Sequence, residues 1–505
     1  MRTARFIGGV LTGLIALMVA IALFVYWFDF ATDMAAAAGL GAFGYVFLWL
    51  AFGANLLLWT VIGGLRLGDD SVRSLVRRRA LQRPRPAVVG KHRERVLVGA
   101  GAGGDTPTGG GDVLERTEGV DEGGAEGPDP SDITLAVIIP AHNEEQVIAG
   151  AISSSLSLFN HWDIYVVSDS SADSTAEIAA KTGINVLELL TNRGKAGAIE
   201  AVIEEFSLTE NYDGVLILDA DTELHPGYVE GARRQLADPD VAAVSGFVVS
   251  EWKPDERSFV GRMISAYRDR LYFMLQYLLR FGQTWRRTNV SFIVPGFASV
   301  YRSSALREMD INPGGLVIED FNMTFEVHHK RLGRVSMNAD TKAYSQDPFT
   351  LKDYYKQVSR WTLGFWQTIR RHRVWPSSFW AALSLYILEV VVVSFVLLLM
   401  ALLGLFVALG TYGGDVVMAV PFYEEGFTAV TAFLPLSVIA IGLFVPDYIL
   451  TCLMAMIRGR PSYLLYGLFF LPIRLLDAFL ALRMLPRAWT TTSDGRWSSP
   501  VRARS

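Results

Sequence analysis

The 505-residue chain holds a single cysteine, Cys452, set in an apolar run, so no internal disulfide can form. A lone thiol fits a reducing, cytosolic environment. Charge is also scarce: Lys, Arg, Asp and Glu make up 19% of the residues, and the formal net charge is -5. That balance argues against a nucleic-acid partner, which calls for a basic surface. Histidine is rare, with 7 in the chain, and the adjacent His328 and His329 read as structural or surface residues, not metal ligands. The middle of the sequence lacks any apolar run of membrane-crossing length. What is abundant is apolar side chain: 51% of residues are hydrophobic and 12% aromatic, with the excess gathered at the two ends. That is too apolar for a soluble enzyme of this size.

A helix needs ~20 residues to cross a bilayer. Apolar runs of that kind lie at about Phe6–Phe28, Ala37–Gly64, Phe379–Gly410, Ala429–Ile457 and Tyr463–Leu485. The first follows Arg2 and Arg5 but ends in Tyr26-Trp27-Phe28, an interfacial aromatic cluster, so it reads as an uncleaved span and not a signal peptide. Arg66, Arg73, Arg77, Arg78 and Arg79 follow the second run, and Arg370, Arg371 and Arg373 precede the third. Positive charge of this kind marks the inner side. The chain is therefore expected to be a multi-pass cell-membrane protein with a cytoplasmic central domain. The loop holding Asp415, Glu424 and Glu425 has no Lys or Arg, as an external loop should. Arg474, Asp477 and Arg483 interrupt the last run. Either it lies along or re-enters the membrane, or the long third run folds as two spans.

The expected organisation is two N-terminal transmembrane helices (1–67), a disordered charged linker (68–131), an α/β domain (132–349), an amphipathic interface helix (350–376), a C-terminal transmembrane region (377–488) and a basic tail (489–505). Within the α/β domain, Leu135–Pro140, Ile164–Val167, Ile184–Leu187 and Val215–Leu218 read as strands. Helical patterns at Val147–Leu156, Thr175–Lys181 and Phe321–Lys330 alternate with or follow them. Such alternation predicts a mostly parallel sheet, with ligands at the carboxyl ends of its strands. Polar clusters follow Pro140, Val167 and Leu218, and together they read as one site.

Asp219-Ala220-Asp221 closes one of these strands. Two carboxylates so placed can hold a hard divalent cation, Mg²⁺ or Mn²⁺, which offsets a diphosphate; alone, the pattern also occurs in ordinary loops. Lys195 stands between Gly194 and Gly197 at a helix mouth, where its charge and the free amides suit a phosphate, although a plain Gly-rich helix start looks the same. The run from Pro140 to Glu145 and the Asp169 turn offer polar groups to a nucleobase and ribose; Asn143 and Ser171 also suit helix caps. Ile318-Glu319-Asp320 supplies a carboxylate that is either a general base, worth roughly 10²–10⁴-fold in rate, or a solvated helix start. Leu351–His372 is amphipathic and reads as a helix at the membrane surface, with Arg262–Trp285 as a second. Gln357, Arg360 and Trp361 share one side of the first, where Trp361 serves either an acceptor or membrane anchoring.

In this order and spacing the elements resemble the processive family 2 glycosyltransferases: cellulose, hyaluronan and bacterial poly-N-acetylglucosamine synthases. The match runs from about Leu135 to His372. The family's Asp, Asp-x-Asp, Glu-Asp and Gln-x-x-Arg-Trp elements fall on Asp169, on Asp219 and Asp221, on Glu319 and Asp320, and on Gln357, Arg360 and Trp361. The resemblance implies a GT-A-type nucleotide-sugar-binding domain in an inverting enzyme that polymerises a β-linked polysaccharide from a UDP-sugar and translocates it. Glu144 and Asp169 would contact the uridine, Lys195 the diphosphate, and Asp221 with Asp219 the metal. Asp320, beside Glu319, would be the base, while Gln357, Arg360 and Trp361 hold diphosphate and acceptor beneath a pore. Gly296, in Val294-Pro295-Gly296-Phe297, falls on an acceptor-contacting motif. The tail from Gly495 to Pro500 is similar to the ends of some poly-N-acetylglucosamine synthases and favours UDP-N-acetylglucosamine as donor. His142, Ser168 and Val358 depart from the family pattern and bear on donor selectivity. The implied partners are the donor, a growing polysaccharide and the bilayer, with room for a small auxiliary membrane subunit. Two rivals stand beside this reading. One is a non-processive enzyme acting on a lipid carrier, against which the Gln-x-x-Arg-Trp helix argues. The other is a catalytically inactive sugar-binding or export component.

Overall fold

Two helices open the chain, α1 over Arg2–Ala37 and α2 over Ala54–Gln82. The computed structural model describes residues 2–37, 51–82, 128–493 and 495. The first part of the second expected span, most of the expected linker and the tail beyond residue 495 lie outside them. The described residues fall into two units, Leu67–Gly127 and the rest of the chain. The smaller one differs from expectation, because helix continues past Gly68, where a linker was expected to begin. No proline interrupts the stretch from Gly68 to Gln82, and an Arg73–Asp69 pair at 2.7 Å spans one turn. Arg66, read from sequence as a charged flank, is buried: it donates to the Phe281 carbonyl at 2.7 Å and to Thr284 Oγ1 and Asn338 Oδ1 at 2.9 Å.

The strands form where aliphatic residues run together. Leu135–Ala141 (β1) and Ile164–Asp169 (β2) are buried at every position, as strands covered on both faces are. In chain order there follow Asn185–Leu189 (β3), Gly214–Leu218 (β4), Thr222–Leu224 (β5), Val241–Val244 (β6), Phe247–Ser250 (β7), Ala298–Arg302 (β8), Arg334–Ser336 (β9) and Lys342–Ser345 (β10). Seven of them make one sheet in the order β3-β2-β1-β4-β8-β6-β9, and β5-β10-β7 make a small second one. β3, β2, β1 and β4 are parallel, whereas β8 runs antiparallel to β4 and β6. This is the expected mostly parallel α/β sheet. The reversed strand has a consequence for the site: Leu218 pairs with Ala298, so the start of β8 lies beside the end of β4.

Helices Ile148–Leu156 (α3) and Gly194–Glu205 (α4) follow β1 and β3. Further on lie Phe259–Phe273 (α5), Asp320–His329 (α6) and Leu351–His372 (α7). α7 has the expected bounds because its signals are local. Thr350 caps it by accepting from the Asp353 amide at 3.1 Å, and basic residues end it at Arg370, Arg371 and His372. α5 continues through a π-helical turn, Met274–Arg280. It is not a surface helix, as expected, but a buried one. Met263, Ile264 and Tyr267 pack with Tyr354, Met454, Tyr463 and Phe470, and its charged residues Arg268, Asp269 and Arg270 are paired or stacked within the protein.

Ser378–Tyr412 (α8), Leu436–Arg458 (α9) and Phe470–Thr490 (α10) complete the set. Among the described residues three helices are long and apolar enough to cross a membrane: Ile7–Ala37 of α1, α8 and α9. The third run is one continuous helix, not two spans, and a separate helix, Tyr423–Phe433, precedes α9. α10 is not among the three. Two of the charged residues that interrupt it are satisfied inside the protein: Asp477 accepts from the Tyr267 and Tyr354 hydroxyls at 2.8 Å, and Arg474 lies 3.3 Å from Asp447.

Candidate active site

Two strand ends and one helix start converge on Lys195. In the first turn of α4, its ammonium lies 2.6 Å from Asp219 Oδ1 and 2.9 Å from Glu319 Oε1. It also donates to the Gly296 carbonyl at 2.9 Å. Asp219 ends β4, and its amide donates to the Phe297 carbonyl at 2.8 Å, across to the start of β8. Gly296 in turn donates its amide to Asp320 Oδ2 at 3.2 Å. Lys195, Asp219, Gly296, Glu319 and Asp320, dispersed in sequence, thus form one constellation. Gly296 is tightly enclosed: a Cβ there would stand 3.0 Å from Lys195 Nζ and 3.1 Å from Glu319 Oε1.

The charges are set by this arrangement. Burial works against the Lys195 ammonium, but Asp219 and Glu319 outweigh it and hold its pKa above the ordinary lysine range. Burial also opposes ionisation of Glu319, yet Lys195, with Arg360 contributing, keeps its pKa lowered. Asp320 is pushed the other way. Burial, and then the neighbouring Glu319 carboxylate, raise it to about 6. The two adjacent carboxylates are therefore driven apart, one anchored as an anion and the other poised to exchange a proton near neutrality.

Asp169, at the end of β2, is fully buried, and burial raises its pKa. Oδ1 accepts from the Arg193 amide at 2.7 Å, which ties it to the Lys195 loop, while Oδ2 has no hydrogen-bond partner among the described residues. Glu144 is also buried, with its amide donating to Thr175 Oγ1 at 2.9 Å. Asn143 and Ser171 are not helix caps. Asn143 accepts from the Ala172 amide at 2.7 Å and donates its own amide to Ser171 Oγ at 3.1 Å, joining the loops after β1 and β2. His142 adds a third tie, from Nδ1 to the Asp169 carbonyl at 2.6 Å. His328 is half-buried and bonded through Nε2 to the Ser291 carbonyl, and burial lowers its pKa to about 4.

Asp219 and Asp221 supply hard oxygen donors. Asp219 is raised by burial, with Lys195 opposing and Asp221 adding to the rise, an imbalance that a divalent cation would relieve. Among the described residues no three His, Cys, Asp or Glu side chains form a complete cage. A cation here would have to draw further ligands from a diphosphate, and the two carboxylates fit that partial role.

α7 brings the second group. Gln357 Oε1 accepts from Arg268 at 2.7 Å, and the same guanidinium lies 4.6 Å from the Trp361 ring centre. Lower down, Gly364 allows the helix to press on Ile318, whose Cγ2 would be 2.0 Å from a Cβ at that position. Gln367 is fully buried beside it, accepting from the Val317 amide at 3.0 Å and donating to the Thr491 carbonyl at 3.1 Å. α7 is thereby docked on the segment that leads into Glu319 and Asp320. Sequence reasoning missed Arg268, Gly364 and Gln367. Only the position of Gln367 on the same helix offered a signal, and an isolated Gln is a weak one.

The chain belongs to glycosyl transferase family group 2, whose family model matches residues 214–471, about half of its length. It is similar to the poly-β-1,6-N-acetyl-D-glucosamine synthase of Staphylococcus epidermidis, with 25% identity over 276 residues covering 50% of this chain and 60% of that one. The synthase of the same name from Staphylococcus aureus strain COL is also 25% identical, over 249 residues covering 47% and 56%. The chain thus spans about 60% of the length of the curated relatives it matches. Among solved structures, it is similar to a mannosyltransferase of Pyrobaculum calidifontis in complex with GDP-Man and Mn²⁺, with 17% identity, TM-score 0.42, and coverage of 62% of this chain and 87% of that one.

Proposed function

We propose that this protein is a membrane-embedded, inverting glycosyltransferase that extends a β-linked polysaccharide from a UDP-sugar, with UDP-N-acetylglucosamine favoured, and passes the polymer across the membrane. The observation that carries the reading is the Lys195 constellation, in which the ends of β4 and β8, the start of α6 and a helix-mouth lysine meet. The docked α7 brings an aromatic and a cationic side chain alongside. The buried, half-satisfied Asp169 carboxylate suits the N–H of a uracil. Asp219 and Asp221 would hold Mg²⁺ or Mn²⁺, which would supply positive charge to offset the diphosphate. Lys195, held at the mouth of α4, would lend its charge to the phosphates. Asp320 takes the proton of the acceptor hydroxyl as that oxygen bonds to the anomeric carbon and the bond from that carbon to the UDP oxygen breaks. Attack from the side opposite UDP inverts the centre. Glu319 keeps Lys195 in place, and burial together with the Glu319 charge holds the Asp320 pKa at about 6. Gln357, Arg360 and Trp361 hold the acceptor end and the diphosphate. The enzyme spans the membrane more than once with the α/β domain on the cytoplasmic side, a reading supported by the three apolar helices and the arginine-rich flanks.

The test is turnover against a panel of UDP-sugars in nanodiscs, followed by product length and linkage analysis. Long β-linked product from one donor is expected. Transfer of a single sugar to lipid, or no UDP release from any donor, overturns the reading.

A further inference from the structure

Arg268, Asp269 and Arg270 occupy consecutive positions on α5, and all three are buried. Asp269 pairs with Arg458 at 2.5 Å and Arg270 with Asp447 at 2.7 Å, both on α9. Arg268 is different. At 1% exposure it makes no ion pair among the described residues, and its Nε has no partner. Nη2 donates to Gln357 Oε1 at 2.7 Å, and the guanidinium lies over the rings of Trp361 at 4.6 Å and Tyr354 at 4.7 Å. The Asp347 and Asp477 carboxylates act on its charge from beyond ion-pair distance, and the aromatic faces add to them, so the guanidinium is held charged without a direct ion pair among the described residues. If α5 had only to pack against α7, an apolar side chain of equal volume would serve better.

The use of the charge lies in what it holds. Because Arg268 occupies Gln357 Oε1, the amide is fixed with its NH₂ left to donate. Because the guanidinium lies over Trp361, the indole loses the freedom to turn. Tyr354 braces the other side, with its hydroxyl donating to Asp477 of α10 at 2.8 Å.

We propose that Arg268 is the positioning residue of the acceptor site: it orients the Gln357 amide toward a sugar hydroxyl and sets the Trp361 indole as the surface on which the sugar ring stacks. This rests on the reading of α7 as the acceptor helix. Arg268 itself touches no substrate.

The test compares wild type, Arg268→Lys, Trp361→Phe and the double variant in nanodiscs. Lysine keeps the charge but loses the planar stack and the fork of donors. Arg268→Lys is expected to bind UDP within about twofold of wild type, while product length falls about tenfold or more and UDP release becomes uncoupled from polymer, as misplacement of a reacting group predicts. The double variant should be no worse than the poorer single one, because both disturb the same surface. Product of wild-type length from Arg268→Lys overturns the proposal, and so does a parallel loss of UDP binding and product, the mark of a merely structural role. If Arg268→Lys does not fold, Arg268→Gln is measured in the same way, and failure of both to fold also overturns it. A wild-type protein that releases UDP yet makes no polymer defeats the acceptor-helix reading instead, a result visible before any variant is made.

Discussion

Replacing Gly296 with alanine tests the Lys195 constellation at its tightest point. The new Cβ would stand 3.0 Å from Lys195 Nζ, 3.1 Å from Glu319 Oε1 and 3.4 Å from Asp320 Cβ. The first two separations are a few tenths of an ångström too short for comfort, so the ends of both side chains must give. Glu319 and Asp219 hold the ammonium by charge. The weakest of its three ties, the 2.9 Å bond to the Gly296 carbonyl, is therefore the first to lengthen. A hydrogen bond from a charged donor is worth about 1.5–3 kcal/mol. Partial loss lies toward the lower end, and about 1.4 kcal/mol corresponds to a tenfold change in rate. Gly296→Ala should therefore fold normally and release UDP about tenfold more slowly. Gly314→Ala is the control, since nothing lies within 4 Å of a Cβ there. Initial rates of UDP release, with UDP binding measured by calorimetry, are the assay. Gly296→Ala at wild-type rate, or Gly314→Ala equally impaired, would refute the reasoning.

The raised Asp320 carboxyl must be ionised to accept a proton, so UDP release should fall about tenfold per pH unit below about 6 and level off above pH 7; Asp320→Asn should bind UDP but lose transfer at every pH, and an unchanged acid limb in that variant would remove Asp320 as its source. Asp221→Asn should bind UDP with an affinity no longer raised by Mg²⁺ or Mn²⁺, as seen by calorimetry with and without the ion, and a retained metal dependence would sink the assignment. Gly364→Ala should lower the melting temperature, because Ile318 Cγ2 would lie 2.0 Å from the new Cβ and overpacking costs about 1–3 kcal/mol; an unchanged melting temperature would show that α7 sits less tightly on Ile318 than the structure has it.

How much of this was legible in the sequence depended on the range of the signal. β1 and β4 could be read because a fully buried strand is a short aliphatic run, and because the run ends where the chain turns polar, as Leu218 gives way to Asp219. The bounds of α7 were legible from its apolar period and from residues adjacent in the chain, Thr350 at one end and the basic cluster at the other. The candidate residues themselves were legible as clusters at strand ends. Their partners were not. Nothing near Lys195 in the chain announces that it meets Asp219, Glu319 and Gly296 at once; the antiparallel β8, which carries Gly296 to the end of β4, decides that. Likewise Asp477 and Arg474 read only as interruptions of an apolar segment, and Arg268 drew no reading, until the helices pack and supply Tyr354, Asp447 and Gln357 as partners. Local propensity and periodicity act over a turn or a strand, so the sequence alone determines elements and their polar ends. Which buried charges face one another is a matter of long-range packing, and only the tertiary structure decided it.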